Sequence, residues 1–166
     1  SSVPERVEGS YFDSAGVRIH YTDEGHGVPV VLVHGLAAHA DMNWRWNGTT
    51  SALAQDYRVI AVDLRGHGLS DKPHDAEAYG MEMAEDIVRL LDHLEIAKAH
   101  VVGYSLGGFI ALKLAVTHPE RLLSVAPCAA GWERVSEENR AFAEAVAKAM
   151  EESADLGPLG KRLGFE

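Results

Sequence analysis

The chain of 166 residues is long enough for one domain and has an ordinary globular composition, with 46% apolar and 24% charged residues. Its formal net charge of −10 argues against nucleic acid and against an anionic membrane as partners, because both attract clustered Lys and Arg. The single cysteine excludes an internal disulfide framework. The sequence has no apolar run of the ~20 residues that cross a bilayer. Its first residues also lack the apolar core of a signal peptide, so we expect a cytoplasmic protein.

Short β-type segments begin the chain and recur along it. Residues 9–12 and 17–21 are predicted to form a hairpin that turns at residues 13–16. Residues 29–33 (PVVLV) form a continuous apolar run, which is typical of a strand buried on both faces of a parallel sheet. The same character is found in three later segments, namely residues 58–64, residues 99–104 and, more weakly, residues 121–126.

Helical segments separate the later strands. Apolar residues three and four positions apart predict a helix over residues 79–94 with one buried face. Residues 106–117 are apolar on nearly all sides and precede Pro119, which predicts a buried helix that ends there. An Ala-rich, acidic segment predicts another helix over residues 136–152. Strands that alternate with such helices predict an α/β fold, a mostly parallel sheet with helices on both faces.

The sequence Gly103-Tyr104-Ser105-Leu106-Gly107 lies between a predicted strand and a predicted helix. A G-x-S-x-G pattern alone arises often by chance, but this context is the one that a nucleophile elbow requires. The two glycines let the strand and helix backbones approach each other around a strained turn, which exposes the serine hydroxyl above the sheet. The alternative is that Ser105 simply caps the helix.

Two upstream motifs accompany this turn. Val33-His34-Gly35-Leu36 follows the first buried strand, and a DLRGHGLSDKP segment beginning at Asp63 follows the next. With these three motifs in this order, residues 7–130 resemble the N-terminal part of a serine-dependent α/β-hydrolase. The resemblance implies that fold, truncated after about the sixth strand. It also implies a core over residues 1–132 and the start of a helical lid over residues 133–166.

The resemblance implies catalytic roles for the motif residues. Ser105 would be the nucleophile, and the backbone N–H groups of Leu36 and Leu106 would form the oxyanion hole. His34 and Gly35 would shape the oxyanion loop, and His34 would not act as the base. Because the oxyanion hole stabilises the developing charge, no metal or cofactor is implied.

Other residues of these loops are assigned supporting roles. Asp63, Arg65 and His67 are expected to brace their own turn. Trp44 and Trp46 either wall a substrate pocket or serve plain packing.

The family's acid and base, which follow the serine in chain order, have no match in this sequence. His118 is separated from Ser105 by twelve helical residues, which corresponds to about 18 Å along the axis. A general base must lie within ~3 Å of the hydroxyl or act through one water, so His118 is excluded. A rearranged triad would need both a base and an acid from other positions. The base would be one of four upstream histidines, namely His34, His39, His67 or His74, and the acid would be Glu133 or a carboxylate near those histidines, namely Asp41, Asp71 or Asp75.

The segment at residues 121–126 would be an apolar strand with a bare outer edge, and such an edge invites pairing. Either a second copy, giving a homodimer, or a missing C-terminal half would pair there. We expect the front half of a longer hydrolase that acts on carboxylic esters or similar small acyl substrates. The alternative is a non-catalytic half that dimerises or serves as an interaction module. The same elbow also serves C–C bond hydrolases, perhydrolases and lyases.

Overall fold

Six strands form one sheet in the computed structural model, which describes residues 6–128. Their bounds are Ser10–Ser14 (β1), Val17–Glu24 (β2), Pro29–Val33 (β3), Arg58–Val62 (β4), Ala99–Tyr104 (β5) and Leu122–Cys128 (β6). The sheet order is β1-β2-β4-β3-β5-β6, with β1–β2 and β2–β4 antiparallel and the other neighbouring pairs parallel. The predicted α/β fold with a mostly parallel sheet is therefore confirmed, and the apolar runs at residues 29–33, 58–64 and 99–104 correspond to its central strands β3, β4 and β5.

Helices cover this sheet in the described residues. The three α-helices are Thr49–Leu53 (α1), Met81–His93 (α2) and Leu106–Thr117 (α3). A π-helix spans Asp41–Arg45, and 3-10 turns span Ala76–Ala78 and Pro119–Arg121. The predicted helices over residues 79–94 and 106–117 correspond to α2 and α3, whereas α1 and the π-helix were not predicted. None of the helices in residues 6–128 is long and apolar enough to cross a membrane.

The alternation of side chains along each strand divides the core into two layers. Val31 and Val33 of β3 belong to a large apolar cluster with α2 and α3. Val30 and Leu32 belong to a smaller cluster that includes Trp44 of the π-helix. Large apolar side chains of α2 and α3 are fully buried in the first cluster, and each contributes roughly 1.5–3 kcal/mol. These layers hold the carboxyl ends of β3, β4 and β5 side by side.

Some predicted boundaries differ from the structure. The β1–β2 turn consists of Ala15 and Gly16 alone, both with positive φ, because a two-residue turn of this kind matches the twist of the strands. Residues 119–121 form a 3-10 turn, so β6 begins at Leu122 and continues to Cys128. The predicted helix over residues 136–152 and the division at residue 132 lie outside the described residues.

Candidate active site

Ser105 lies at the tip of the sharp turn that joins β5 to α3. Its backbone angles, φ 54° and ψ −113°, are ones that non-glycine residues rarely adopt. The turn is held from both sides, because the Ser105 N–H donates to the Cys128 carbonyl (2.7 Å) and the Ser105 carbonyl accepts from the Phe109 N–H (3.1 Å). The expectation of an unusual backbone conformation at this serine is confirmed. The extension of β6 to Cys128 supplies the first of these two contacts.

The two elbow glycines lie where backbones approach most closely. A Cβ atom added at Gly103 would lie 2.0 Å from the Gly107 carbonyl oxygen, and one added at Gly107 would lie 2.1 Å from the Val33 carbonyl oxygen. Neither neighbour is a side chain that could rotate away. The sequence folds as a strand–turn–helix here because these positions lack side chains.

The loop after β3 packs directly against this elbow. A Cβ atom added at Gly35 would lie 3.0 Å from Tyr104 Cδ1 and 3.4 Å from Ser105 Cβ. The two predicted oxyanion donors, Leu36 and Leu106, therefore belong to segments that meet at the serine. The N–H groups of the first helical turn have no partner within the helix, which leaves the Leu106 N–H available to a ligand.

His34 is completely buried and uses both ring nitrogens inside the protein. Its Nε2 accepts the Leu64 N–H (2.9 Å), so Nδ1 carries the proton and donates it to the Gly35 carbonyl (2.7 Å). Burial, reinforced by the neighbouring His67 ring, lowers the pKa of His34 to about 3, so the ring is neutral at physiological pH. With both nitrogens engaged, His34 is a support of the loop and not a proton acceptor for Ser105.

Asn43, which sequence reasoning missed, also contacts the loop. Its Oδ1 accepts the Gly35 N–H at 2.8 Å. The residue lies in the π-helix, whose wide turn is closed by the Trp46 N–H donating to the Asp41 carbonyl (2.8 Å). The sequence around Asn43 has no helical periodicity that would have indicated this placement.

An open pocket of about 290 Å³ lies beside the elbow. Its lining residues are Met42, Asn43, Trp44, Asn47, Tyr104 and Cys128. Tyr104 precedes the serine, and Cys128 supplies the carbonyl that binds the Ser105 N–H. Trp44 is buried and walls this pocket, whereas Trp46 is partly exposed and packs edge-on against His39.

Asp63 is buried and its carboxylate is contacted from several segments, including the loop after β3. Its carboxylate accepts hydrogen bonds from the His20 ring, the Ala40 and Leu69 N–H groups and Arg6. Burial alone would raise its pKa, but these donors together hold the pKa of Asp63 well below its usual range. Asp63 therefore does more than brace its own turn, since it joins β2, the loop after β3 and the N-terminal segment.

Arg65 also reaches beyond its own turn. Its guanidinium forms an ion pair with the buried Asp86 of α2 (2.6 Å) and donates to the Ala78 carbonyl. His67 braces the turn, with its Nδ1 3.0 Å from the Arg65 carbonyl oxygen, and its ring also lies 5.1 Å from the His34 ring of the loop after β3. The expected bracing of the turn is thus seen for His67, whereas these side-chain contacts of Arg65 lie outside the turn.

The structure does not assemble a triad from the described histidines. Within residues 6–128, no histidine is hydrogen-bonded to the Ser105 hydroxyl; His39 Nδ1 instead accepts the Met42 N–H, and His118 contacts Thr117 and Glu85. Glu133 lies outside the described residues. The turn at Ser105 and the loop at Gly35 are thus brought together, whereas no described histidine reaches the Ser105 hydroxyl.

Comparison with known proteins agrees with this geometry. The model of the alpha/beta hydrolase fold family matches residues 28–155. The chain is 43% identical over 117 residues to the dihydrolipoyllysine-residue acetyltransferase component of the acetoin cleaving system of Cupriavidus necator, covering 70% of this chain and 30% of that protein. It is 40% identical over 109 residues to 2-hydroxymuconate semialdehyde hydrolase of a Pseudomonas species, covering 66% of this chain and 38% of the relative.

A solved structure is similar over the same region. The enol-lactonase of Burkholderia xenovorans superposes with a TM-score of 0.66 at 33% identity, covering 72% of this chain and 46% of that one. The chain therefore spans less than half the length of these three relatives. From the family match and the strand–elbow–helix geometry, this chain belongs to the α/β-hydrolase family.

Proposed function

We propose that the chain carries the nucleophile and oxyanion hole of a serine hydrolase that acts on carboxylic esters or similar small acyl compounds. The observation that carries the proposal is the strained backbone of Ser105 at the end of β5, directly against the oxyanion loop at Gly35. A serine does not adopt such backbone angles by its own preference, so the surrounding structure must enforce them.

The proposed reaction uses groups that belong to the two segments in contact at the elbow. Ser105 Oγ adds to the ester carbonyl carbon, and the electron pair of the C=O bond moves onto the carbonyl oxygen. The N–H groups of Leu36 and Leu106 stabilise that oxyanion, together with the positive end of the α3 dipole. The C–O bond then breaks, the alcohol leaves with a proton, and water hydrolyses the acyl-serine. The proton from Ser105 passes to a base outside residues 6–128.

The substrate range follows from this chemistry and from the relatives. An acyl-serine forms from open-chain esters and from lactones alike, since a lactone is a cyclic ester, and one solved relative is named an enol-lactonase. The name of a second relative, 2-hydroxymuconate semialdehyde hydrolase, keeps C–C bond hydrolysis open as a variant at the same serine. The open pocket beside Tyr104 gives room for a small acyl group.

A non-catalytic role is the second candidate, and the edge strand β6 favours it. Leu123 is 47% exposed, and most other residues of β6 are exposed as well. A chain that pairs through this edge would act as a homodimer or as an interaction module.

Chemical rescue of the missing base tests the catalytic proposal. The 166-residue chain and its Ser105→Ala variant are compared on an activated aryl ester, with and without added imidazole. Without imidazole, both proteins should hydrolyse the ester slowly, because oxyanion donors and binding alone accelerate such a reaction by roughly 10³–10⁴-fold over water. With imidazole as an external base, the wild-type rate should rise well above the rate of the alanine variant.

Two results would change this conclusion. Equal imidazole-dependent rates in the two proteins would show that Ser105 is not the nucleophile and would favour the interaction role. A fast stoichiometric burst in the wild type without imidazole would show that the chain contains a base, and each upstream histidine would then be tested by substitution.

A further inference from the structure

The backbone of Gly35 is held on both of its polar groups. Its N–H donates to Asn43 Oδ1 at 2.8 Å. Its carbonyl accepts from His34 Nδ1 at 2.7 Å and from the Ala38 N–H at 3.3 Å. Glycine has the softest backbone of any residue, so these contacts replace the rigidity that a side chain would give.

The direction of the oxyanion donor follows from the two held peptide planes. In a trans peptide the C=O and the following N–H point in opposite directions, so holding the Gly35 carbonyl fixes the direction of the Leu36 N–H. The Asn43 contact holds the preceding plane, which contains the Gly35 N–H. Together, the two contacts restrict rotation about both backbone bonds of Gly35, and neither contact does so alone.

Asn43 is itself anchored. Its N–H donates to the His39 carbonyl (3.2 Å), and its carbonyl accepts from Asn47 Nδ2 (2.7 Å). The π-helix that carries Asn43 is tied down at its start, where the buried Asp41 forms ion pairs with Arg6 (2.8 Å) and Arg45 (3.1 Å). The amide oxygen is therefore presented to Gly35 from a fixed support.

We propose that Asn43 is a positioning residue of the oxyanion hole, which aims the Leu36 N–H at the developing oxyanion by holding the Gly35 N–H. This inference rests on the proposed serine chemistry. Asn43 also lines the pocket beside the elbow, so the proposed positioning group lies next to the space in which an acyl group would bind. Asn43 does not touch the reacting atoms and acts through Gly35.

The test compares Asn43→Leu, which removes the acceptor, with Asn43→Asp, which keeps an oxygen at the same place. Gln55→Leu is the matched control, since it removes an exposed amide elsewhere on the chain. Loss of one oxyanion donor costs about 10²–10³ in kcat, so a misaimed donor should cost about 10-fold or more. In the imidazole-rescued aryl esterase assay, Asn43→Leu should lower kcat by that factor with little change in KM. Asn43→Asp should recover most of the loss, and Gln55→Leu should match the wild type.

A measurement on the wild-type chain covers the case in which Asn43→Leu does not fold. A scalar coupling across the hydrogen bond should join the Gly35 amide nitrogen to Asn43 Cγ in the NMR spectrum, and the Gly35 amide should exchange slowly. Absence of both would overturn the inference, as would a wild-type kcat in Asn43→Leu. If the wild type itself shows no Ser105-dependent rate, the proposed function is wrong, and the proposed role of Asn43 in positioning the oxyanion hole is wrong as well. The coupling would then still show whether the Gly35 contact exists.

Discussion

Two non-glycine residues beside the candidate cleft have backbone conformations with positive φ, Ser105 (φ 54°) in the turn after β5 and Ala37 (φ 58°) in the loop after β3. Each such conformation costs of order 1–3 kcal/mol and persists only where surrounding contacts enforce it. At Ser105 the enforcing contacts are the hydrogen bonds to Cys128 and Phe109. The strain at Ser105 is thus held in the residue that supplies the nucleophile of the proposed chemistry, and Ala37 follows the proposed donor Leu36 directly.

Replacing Ser105 by glycine should stabilise the chain relative to replacing it by alanine. Both substitutions remove the hydroxyl, but only glycine adopts φ 54° and ψ −113° without a Cβ penalty. The greater freedom of glycine in the unfolded chain offsets part of the gain. We therefore expect the free energy of unfolding of Ser105→Gly to exceed that of Ser105→Ala by about 1 kcal/mol. Urea unfolding of the two variants measures the difference. An alanine variant of equal or greater stability would show that the elbow is unstrained.

The buried His34 should make the chain less stable in mild acid. Its pKa is 6.5 when unfolded and about 3 when folded, so between these values the unfolded state binds more protons. Stability is therefore full above pH 6.5 and falls as the pH decreases, by roughly 2 kcal/mol for this one group between pH 6.5 and pH 5. Unfolding free energies measured at several pH values should show a shallower decline in His34→Gln than in the wild type, although the variant is less stable throughout. Parallel pH profiles would contradict the assignment of His34 as a buried neutral ring.

At the level of elements, the position of the candidate site depends on how closely β5 and α3 cross. The α3 backbone passes over β5 with no room for a side chain at Gly103, and over the end of β3 with none at Gly107. Gly108, the next residue of α3, is less restricted, since an added Cβ atom would lie 3.3 Å from the Gly103 carbonyl oxygen. The crossing thus requires glycine at two positions and is less sensitive at a third.

Gly103→Ala and Gly108→Ala form a matched pair for this crossing. The first places a methyl group 2.0 Å from a backbone oxygen, so the strand and the helix must separate. We expect its free energy of unfolding to fall by roughly 3 kcal/mol or more. In the second, the added methyl group has contacts no closer than 3.3 Å, and a helical glycine is replaced by alanine. The free energy of unfolding of this variant should therefore stay within about 1 kcal/mol of the wild-type value. Thermal and urea unfolding measure both. Similar losses in the two variants would show that the crossing is looser than the structure indicates.

The sequence was most informative about elements whose pattern is local. The apolar run of β3 and the repeating apolar face of α2 predicted both elements, because strand and helix periodicities are visible within about ten residues. The π-helix was not predicted, since a turn of this kind has no periodic signature and depends on tertiary contacts such as that of Asp41 with Arg6.

The same distinction applies to the candidate site. The elbow at Ser105 was found from five consecutive residues, whereas Asn43 and Asp63 act through partners distant in sequence. The Asn43–Gly35 bond spans eight positions and the Asp63–Arg6 bond spans 57. Contacts of this kind are set by the packing of whole elements and leave no local pattern.

For the molecule as a whole, the described sheet has two edges of different character. β1 forms one edge and is paired with β2 in a hairpin. β6 forms the other, with Leu123 exposed and Pro127 within the strand. A proline has no N–H to donate and is tolerated on an edge strand, which agrees with the position of β6 in this sheet. Five of its seven residues are exposed, so its outer surface is a place where further protein can pack.

We predict that β6 is either paired with a second copy of the chain or covered by residues 133–166. Sedimentation equilibrium over a wide concentration range, combined with hydrogen exchange of the β6 amides, separates the two. A dimer that weakens in Leu123→Lys, but not in the control Val116→Lys on α3, would show pairing through the edge, since both replaced side chains are exposed (47% and 39%) and only one lies on β6. A monomer with slowly exchanging β6 amides would show coverage within one chain. A monomer whose β6 amides exchange freely would contradict the prediction, because an apolar edge strand left open at high concentration should associate.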